Sequence, residues 1–313
     1  MLPKYDIIIV GCGPVGATLA NLLGKYKWNV AVFERKTTIY PFPRAVHLDD
    51  ESIRIFQSAN LHDKILPHLT SFEKMQLVQA SGQIIIDISV GSKEKKYGFS
   101  SDFWFFQPTI EKILRDGIKR FENVNIFEGF EVNDMLQNEK ESILTICDLK
   151  NNKKQKIIGT YIVACDGGQS FVRRQLNISM KDFKFNNTWL VADALLKNKY
   201  KNETASLPNI HQQVCDPQRP TTYVSGHQNH RRWEFMLRKG DEKQAVAQKE
   251  NVEKWLSKWV DLDKIDLLRT DIYTFHGLLA KKWQDKRIFL AGDAAHMMPP
   301  FLGQGLCSGL RDV

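Results

Sequence analysis

The 313-residue sequence lacks a long apolar run, a paired-cysteine motif and any low-complexity segment. No stretch of about 18 uncharged apolar residues is present, so we expect no membrane-spanning helix. The five cysteines are an odd number without a Cys-x-x-Cys pair, which argues against a disulfide framework or structural zinc and suits a reducing, cytoplasmic compartment. With 42% hydrophobic residues, disorder is also excluded. The sequence therefore predicts a soluble globular protein of about two domains.

Other absences limit the function classes. The net charge of +8 comes without a basic helix, zinc-finger spacing or RNP-like motif, so we attribute it to a lysine-rich surface compatible with acidic ligands rather than to nucleic-acid binding. No metal-ligand spacing, GxSxG motif or Ser-His-Asp order is present. The apolar stretch 7–23 is similar to the core of a secretion signal, but its glycines and Pro14 interrupt it. We therefore expect no signal peptide.

The N-terminal segment has the pattern of a strand, a glycine-rich turn, a helix and a second strand. Residues 5–10 are a continuous apolar run typical of a buried parallel strand, and the turn GCGPVG opens a helix at 17–25. Residues 30–33 form the next strand, which Glu34 closes. This order predicts a dinucleotide-binding βαβ unit, without choosing between NAD and FAD.

Each glycine of the turn has a physical reason. Gly11 permits the tight turn, Gly13 lets the backbone approach a pyrophosphate, and Gly16 allows close helix–strand packing. Glu34 is placed to hydrogen-bond an adenosine ribose. Lys27 stands where the helix end favours glycine, and a left-handed conformation there would cost about 1–2 kcal/mol.

Two later segments repeat the pattern of a strand followed by a polar turn. Residues 157–164 form a strand that precedes Asp166 and Gly167, and residues 287–291 precede Gly292 and Asp293. The run 303–305 (GQG) then opens a further helix, whose positive end suits a site of developing negative charge.

In this order, the three motifs resemble those of the group A flavoprotein monooxygenases, which have the p-hydroxybenzoate hydroxylase-like fold. The resemblance spans nearly the whole chain and implies an α/β protein. It would have an FAD/NAD(P)-binding Rossmann-like domain at 1–72, 100–180 and 280–313. An inserted α+β substrate-binding domain, built on a mostly antiparallel sheet, would take 73–99 and 181–279.

The resemblance also implies a set of FAD contacts. Asp293 would accept hydrogen bonds from ribose or ribityl hydroxyls, and Arg44 would suit a phosphate. In many relatives an asparagine that contacts the flavin stands where this chain has Cys307, and a thiol cannot replace the amide's donor and acceptor. The implied FAD-binding residues are Gly11, Gly13, Pro14, Gly16, Glu34, Arg35, Arg44, Gln107, Asp166, Gly167, Gly292, Asp293, Pro300, Gly303, Gln304, Gly305 and Leu306.

Within the family, segments 43–51, 215–222, 230–234 and 292–309 resemble the 3-(3-hydroxyphenyl)propionate hydroxylase type. The resemblance implies that NADPH or NADH reduces FAD and that O₂ forms a C4a-hydroperoxyflavin, which hydroxylates a phenolic aromatic acid. Attack is easier on a phenolate, so a base near the phenol would help.

Candidate catalytic residues are His47, Asp49 and Tyr223, with Arg231 and Arg232 as further candidates for binding the phenol oxygen or the carboxylate. Asp49 has an alternative role as the cap of a helix at 51–59. Tyr223 and the two arginines have an alternative structural or solvated role in a half-exposed sheet.

Three further expectations concern the whole protein. The chain stops inside the helix opened at 303–305, so we expect a truncated form. A homodimer is a possible assembly. Alternative functions are a flavoprotein of the same fold with another substrate, or an inactive FAD-binding fragment.

Overall fold

A computed structural model describes residues 2–72, 74–90, 95–197, 207 and 209–313. The predicted substrate-binding domain includes residues 73, 91–94, 198–206 and 208, which lie outside the described residues. The strands are β1 Lys4–Val10, β2 Val30–Glu34, β3 His47–Asp49, β4 Leu69–Ser71, β5 Lys74–Val78, β6 Ile84–Ser89, β7 Asp102–Phe105, β8 Val124–Glu128, β9 Phe130–Gln137, β10 Ser142–Asp148, β11 Lys153–Ala164, β12 Met180–Leu196, β13 His211–Val214, β14 Thr221–Val224, β15 His230–Met236, β16 Ile265–Ala280, β17 Gln284–Asp285, β18 Ile288–Leu290 and β19 His296–Met297. The helices are α1 Pro14–Lys25, α2 Asp50–Ser58, α3 His62–Ile65, α4 Gln107–Ile118, α5 Phe171–Gln175, α6 Lys243–Val246, α7 Lys249–Leu256 and α8 Gln304–Asp312.

The first sheet has the strand order β17-β18-β11-β1-β2-β8, and β10 and β9 extend it from β11. Strand β1 pairs in parallel with both β2 and β11, which places it in the middle of the sheet. Its side chains Ile8 and Ile9 are fully buried because helices and strands cover both faces, as expected of a continuous apolar strand. The carboxyl ends of β1, β11 and β18 therefore lie side by side.

Helix α1 starts directly after the glycine-rich turn, with Pro14 in its first turn, where the missing N–H costs no hydrogen bond. Its buried face, which includes Ala17 and Ala20, packs into the same core as α4. After the helix ends, Lys27 has a φ of 62°, the left-handed conformation that the sequence indicated for this position.

The second sheet has the order β19-β16-β12-β15-β14-β13-β5-β6 and is antiparallel except for the parallel pair β13 and β5. The long strands β12 and β16 form its spine, and β5 and β6 form the antiparallel hairpin predicted from their sequence. On one face of the sheet, side chains of β14 and β15 pack with α7 in a core of their own. The predicted α/β fold with a mostly antiparallel second sheet is confirmed.

A small sheet, β3-β7-β4, stands beside the two large ones. Strands β12 and β16 of the second sheet connect it along the chain to the first sheet. The chain enters the second sheet at β12, after α5, and returns from β16 to β17 and β18 of the first sheet. The strand order thus fits the discontinuous arrangement, while the domain bounds themselves stay a prediction.

Candidate functional site

One cavity of about 940 Å³ is lined by residues of both large sheets and of the small sheet. This volume is at the upper end of the range of about 300–1,000 Å³ that is usual for cofactor and small-molecule sites. The cavity has two ends. The first, which we call the cofactor end, is formed by the turns after β1, β11 and β18 and by the segment before α8; the second, the sheet end, is formed by β14 and β15 with aromatic side chains around them.

At the cofactor end, the turn after β1 is built from glycines for steric reasons. Gly11 has a φ of +97°, and a Cβ atom there would lie 2.3 Å from the carbonyl oxygen of Cys165. Gly13 precedes α1 and lines the cavity, and a Cβ atom on it would meet nothing within 4 Å. Pro14 also lines the cavity, so the positive N-terminal end of α1 faces it.

Gly16 does not line the cavity. A Cβ atom at this position would lie 2.1 Å from the carbonyl oxygen of Gly11, so the residue allows α1 to pack against the turn. Gly16 therefore affects a ligand site only indirectly, because it sets the position of α1.

Glu34 lies at the end of β2 and lines the cavity together with Arg35. Its carboxylate accepts hydrogen bonds from the backbone N–H of Cys12 at 2.9 Å and of Lys36 at 2.9 Å. These two bonds fix the carboxylate beside the glycine-rich turn and leave lone pairs of both oxygens for a hydroxyl donor.

Two aspartates stand at the ends of neighbouring strands and line the cavity. Asp166 follows β11; its Oδ2 accepts a hydrogen bond from the N–H of Val172 at 3.2 Å, and its buried Oδ1 has no partner among the described residues. Asp293 follows β18 and is reached from the cavity. Desolvation by the surrounding protein raises the pKa of both carboxyls. Gly167 and Gly292, which both have a positive φ, line the cavity beside them.

Gln107 positions the loop that carries Arg44. The side-chain oxygen of Gln107 accepts hydrogen bonds from the backbone N–H of Arg44 at 3.0 Å and of Ala45 at 2.9 Å. The Arg44 guanidinium is exposed at the rim of the cavity and lies 5.1 Å from the centre of the Tyr40 ring.

The segment before α8 forms another wall. Gly303 has a φ of +63°, and a Cβ atom there would lie 2.7 Å from the Cβ atom of His47. The thiol of Cys307 is buried 3.8 Å from the carbonyl oxygens of both residues and is not part of the cavity wall. The wall residues of this segment that the sequence pointed to are Pro300, Gly303, Gln304, Gly305 and Leu306.

His47 lies where the cofactor end meets the sheet end. Its Nε2 is 2.8 Å from Oδ1 of Asp102, and its Nδ1 is 3.3 Å from the carbonyl oxygen of Gly303. Burial disfavours the charged imidazole, but the hydrogen bond and the charge of Asp102, together with the neighbouring Cys307, outweigh it and raise the pKa of His47 to about 10. Each ring nitrogen lies close to an acceptor oxygen, an arrangement that favours the doubly protonated imidazole.

Two predicted catalytic residues lie away from the cavity. Asp49 caps α2: its Oδ1 accepts hydrogen bonds from the N–H of Ser52 at 2.9 Å and from its hydroxyl at 2.7 Å, and Arg311 pairs with its other oxygen. Tyr223 is buried on the opposite face of the second sheet, 5.6 Å from Trp233 between ring centres. The catalytic assignment of these two residues is corrected accordingly: one is a helix cap, and strand alternation turns the other away.

The two arginine candidates are buried structural residues and not solvated ones. Arg231 donates to the backbone carbonyls of Ser225 and Gln228 at 2.6 and 2.9 Å. Arg232 pairs with the buried carboxylate of Asp193 and donates to the carbonyl of Arg44 at 2.9 Å. Arg231 does not line the cavity, and the guanidinium of Arg232, which does, is engaged by Asp193 and by the carbonyls of Pro43 and Arg44.

Asp193 organises this buried cluster. Arg232 and Arg269 both pair with it at 2.8 Å, and Nε2 of His230 lies 2.7 Å away. Both arginines also donate to the carbonyl of Pro43. Burial raises the pKa of Asp193, but the charge of Arg232 and the other cationic neighbours lowers it far more, so it is ionised. The cluster thereby ties the Arg44 loop to the second sheet.

Sequence reasoning pointed to Arg232 at the sheet end but did not name Thr222, Val224 and Glu234 as site residues. The signal was strand alternation: Thr222 and Val224 share one face of β14, opposite Arg232 and Glu234 of β15. All four line the cavity, whereas Tyr223 between them does not. Asp102 had no such signal because its contact with His47 spans 55 positions. The other lining residues around this end include Phe72, Met75, Trp104, His211, Phe275 and Phe301.

Two structural absences hold for the described residues. They contain no group of three or more His, Cys, Asp or Glu side chains that could hold a metal ion. No helix within the same ranges has the length and apolar character to cross a membrane.

The sequence of this chain matches the family described as "FAD binding domain" over residues 4–313. The chain belongs to this family. Its relatives include 3-(3-hydroxy-phenyl)propionate/3-hydroxycinnamic acid hydroxylases from Comamonas testosteroni, 39% identical over 98% of this chain and 51% of the relative, and from Escherichia coli (strain K12), 36% identical over 99% and 54%. The chain thus spans about half the length of these relatives.

Solved structures share the fold over the whole chain. The p-nitrophenol 4-monooxygenase PnpA from Pseudomonas putida DLL-E4 superimposes with a TM-score of 0.88 at 20% identity, covering 100% of this chain and 78% of that one. The flavin-dependent monooxygenase PieE, solved with FAD and substrate, gives 0.87 at 19% identity, covering 99% and 56%. At these identities the likeness shows the fold alone.

The geometry of the cofactor end fits the group that the family name implies. The orphaned Oδ1 of Asp166 is buried and requires a donor, which a bound ligand would provide. The open space at the Gly13 Cβ position and the positive end of α1 suit a pyrophosphate. The carboxylate of Glu34 suits a ribose hydroxyl.

Proposed function

We propose that this chain binds FAD in the cavity and belongs to a flavin-dependent monooxygenase that hydroxylates a phenolic aromatic acid with NADH or NADPH as reductant. The observation that carries this proposal is the cavity itself, in which a dinucleotide-binding turn and an aromatic-lined sheet share one space. The names of relatives at 36–39% identity support a substrate like 3-(3-hydroxyphenyl)propionate.

In this proposal, the turn 11–16 and the end of α1 hold the pyrophosphate of FAD, and Glu34 binds the adenosine ribose. Asp293 accepts hydrogen bonds from hydroxyls of the flavin side chain. Gly303 to Leu306 present backbone N–H groups and the positive end of α8 to the flavin ring, where negative charge develops on reduction. Bound FAD supplies the electron transfer from NAD(P)H and the activation of O₂.

In this proposal His47 carries a fixed positive charge. It does not act as the catalytic base that the sequence suggested. As an imidazolium it holds a proton on each nitrogen, one facing Asp102 and the other facing the carbonyl of Gly303. It thereby fixes the segment that would contact the flavin ring and adds positive charge at that edge of the cavity.

The cationic side chains at the rim suit an anionic dinucleotide reductant. Four exposed cations line the cavity, namely Arg35, Lys36, Arg44 and Arg174. Their charges would attract the phosphates of NADH or NADPH. Aromatic and aliphatic side chains at the sheet end provide an apolar wall for the substrate ring.

The test is an absorbance spectrum of the purified chain with added FAD, followed by NADH and NADPH oxidation with and without 3-(3-hydroxyphenyl)propionate. We expect a retained flavin spectrum, oxidation stimulated by the phenolic acid and a catechol product. Retained flavin without stimulation by any phenolic acid would contradict the substrate class. A chain that binds no FAD would contradict the proposal as a whole.

Two finer expectations accompany the proposal. The cysteines of the chain are free thiols, which fits a reducing compartment such as the cytoplasm. The homodimer stays a prediction, which sedimentation of the FAD-loaded chain would test.

A further inference from the structure

Glu234 is a buried carboxylate in the wall of the sheet end that the preceding proposal does not use. It lies on β15 with 6% of its surface exposed, directly opposite Thr222 of β14 and Val191 of β12. Its side chain lines the cavity on the same face as Arg232. Its carboxylate oxygens are not among the fully buried unpaired atoms, so they are open to the space of the cavity.

The neighbours of Glu234 do not satisfy it. The closest cation is Arg232, whose Nη1 lies 3.9 Å from Oε1 of Glu234, beyond hydrogen-bond distance. That guanidinium is already engaged by Asp193 and by the carbonyls of Pro43 and Arg44. The Oγ1 atom of Thr222 donates its hydrogen to the side-chain oxygen of Gln213 at 2.8 Å.

Among the described residues, none donates a hydrogen bond to the carboxylate of Glu234. Burial raises its pKa, which the charge of Arg232 opposes. The carboxylate therefore presents unused acceptor positions to a cavity in which its neighbours offer no donor.

The surroundings define what kind of ligand could supply that donor. Val224, Phe72 and Trp104 pack together and line the cavity as an apolar and aromatic wall that suits a ring. In its ionised form, which the charge of Arg232 favours, Glu234 accepts hydrogen bonds only, so it pairs with an O–H donor and repels a carboxylate. A ring bearing both groups would therefore turn its hydroxyl, and not its acid tail, toward this residue.

We propose that Glu234 contacts the aromatic substrate and accepts a hydrogen bond from its ring hydroxyl, which sets the orientation of the ring in the cavity. This assignment rests on the proposed function, because it takes a phenolic acid as the ligand. A site built to hydrogen-bond a hydroxyl rejects an analogue that lacks it, since the buried polar group is then left unpaired. Glu234 is thus a specificity-determining residue for phenols over plain aromatic rings.

The test measures dissociation constants of two ligands, 3-(3-hydroxyphenyl)propionate and 3-phenylpropionate, for the FAD-loaded chain by calorimetry or by the change in flavin absorbance. We expect the wild-type chain to prefer the hydroxylated ligand by about tenfold, as for a hydrogen bond to a charged acceptor. Glu234→Ala should abolish this preference. Glu234→Gln keeps the shape and one acceptor oxygen and should retain part of it.

The matched control is Glu253→Gln, a surface residue of α7 that pairs with Lys249 at 3.5 Å, and it should leave both constants unchanged. The assignment is overturned if Glu234→Ala weakens both ligands equally, since that pattern is structural, or if the wild-type chain does not distinguish the two ligands. In either case turnover of a phenolic acid would still support the proposed function. Binding of neither ligand by a chain that holds FAD would overturn the assignment and contradict 3-(3-hydroxyphenyl)propionate as the substrate, and the FAD site would stand.

Discussion

The two ends of the cavity are built in different ways. At the cofactor end, the surface is formed by backbone at tight turns, with glycines at 11, 13, 167, 292 and 303 and with carboxylates placed directly after strands. At the sheet end, side chains of β14, β15 and their neighbours form the wall, brought together by pairing between strands. The first kind of site is specified by consecutive residues, and the second depends on register between distant segments.

The strongest test of the sheet end is removal of the charge at the centre of its buried cluster. Asp193→Asn leaves Arg232 and Arg269 without their common carboxylate, and a broken buried pair costs about 3–5 kcal/mol. We expect a corresponding loss in the free energy of unfolding, measured by urea denaturation. Asp266→Asn, at the surface of β16, is the control and should change stability by less than about 1 kcal/mol. An equal loss in both variants would contradict the role of the cluster.

At the cofactor end, substitutions of two glycines in the same turn should have different effects, one on the stability of the chain and the other on its affinity for FAD. Gly11→Ala places a Cβ against a backbone oxygen at a positive φ, and the overpacking and the backbone strain together cost about 2–5 kcal/mol of stability. Gly13→Ala has open space and a φ of −70°, so the chain should keep its melting temperature. It should nevertheless bind FAD at least about tenfold more weakly, because the methyl group occupies the pyrophosphate's place.

Melting curves without FAD and titrations with FAD distinguish these outcomes. A Gly13→Ala chain that binds FAD as well as the wild type would show that the pyrophosphate does not lie against this turn.

Where the two ends meet, the His47–Asp102 pair predicts a pH dependence of stability. The folded-state pKa of His47 is raised to about 10 from an ordinary value of 6.5, so its contribution is complete below pH 6.5 and is lost as the pH rises toward 10. A charge-assisted hydrogen bond of this kind contributes about 1.5–3 kcal/mol. We expect the wild-type chain to lose that amount between pH 6.5 and 10 relative to Asp102→Asn. Parallel pH curves of the two proteins would contradict the assignment.

The smallest expected effect concerns a turn outside the cavity. Lys27 has a φ of 62°, and Lys27→Gly removes the strain of a left-handed side-chain residue, for a gain of about 0.5–1 kcal/mol after the entropy cost of glycine. Lys25→Gly, in the last turn of α1, should instead lose stability, about 0.5–1 kcal/mol. Thermal melting of the two variants checks the opposite signs.

The difference between the two ends explains which features the sequence could predict. Strand β1, the turn and helix α1 follow from one continuous stretch, and the hairpin of β5 and β6 follows from alternation around a short turn. The fold class and the family were accessible for the same reason. All of the implied FAD-binding residues except Gly16 line the cavity.

The sheet end was less accessible because alternation identifies two faces of a strand but not which face is covered. Tyr223 was proposed as a catalytic residue because of its phenol group. It lies on the face of the sheet that α7 covers, where it packs against Trp233. Glu234 was overlooked beside it, because only the register with Thr222 and the position of the cavity give it significance. Asp102 and Asp193 acquire their partners through contacts between distant parts of the chain.

The hydrogen bonds from Arg232 and Arg269 to the carbonyl of Pro43 bear on any attempt to recombine this chain with its relatives. The loop belongs to the N-terminal part, while both arginines and their carboxylate come from the inserted sheet. A chimera whose incoming insert lacked counterparts of Asp193, Arg232 and Arg269 would leave the carbonyls of Pro43 and Arg44 without these donors. The practical crossover unit is therefore the insert together with residues 40–44.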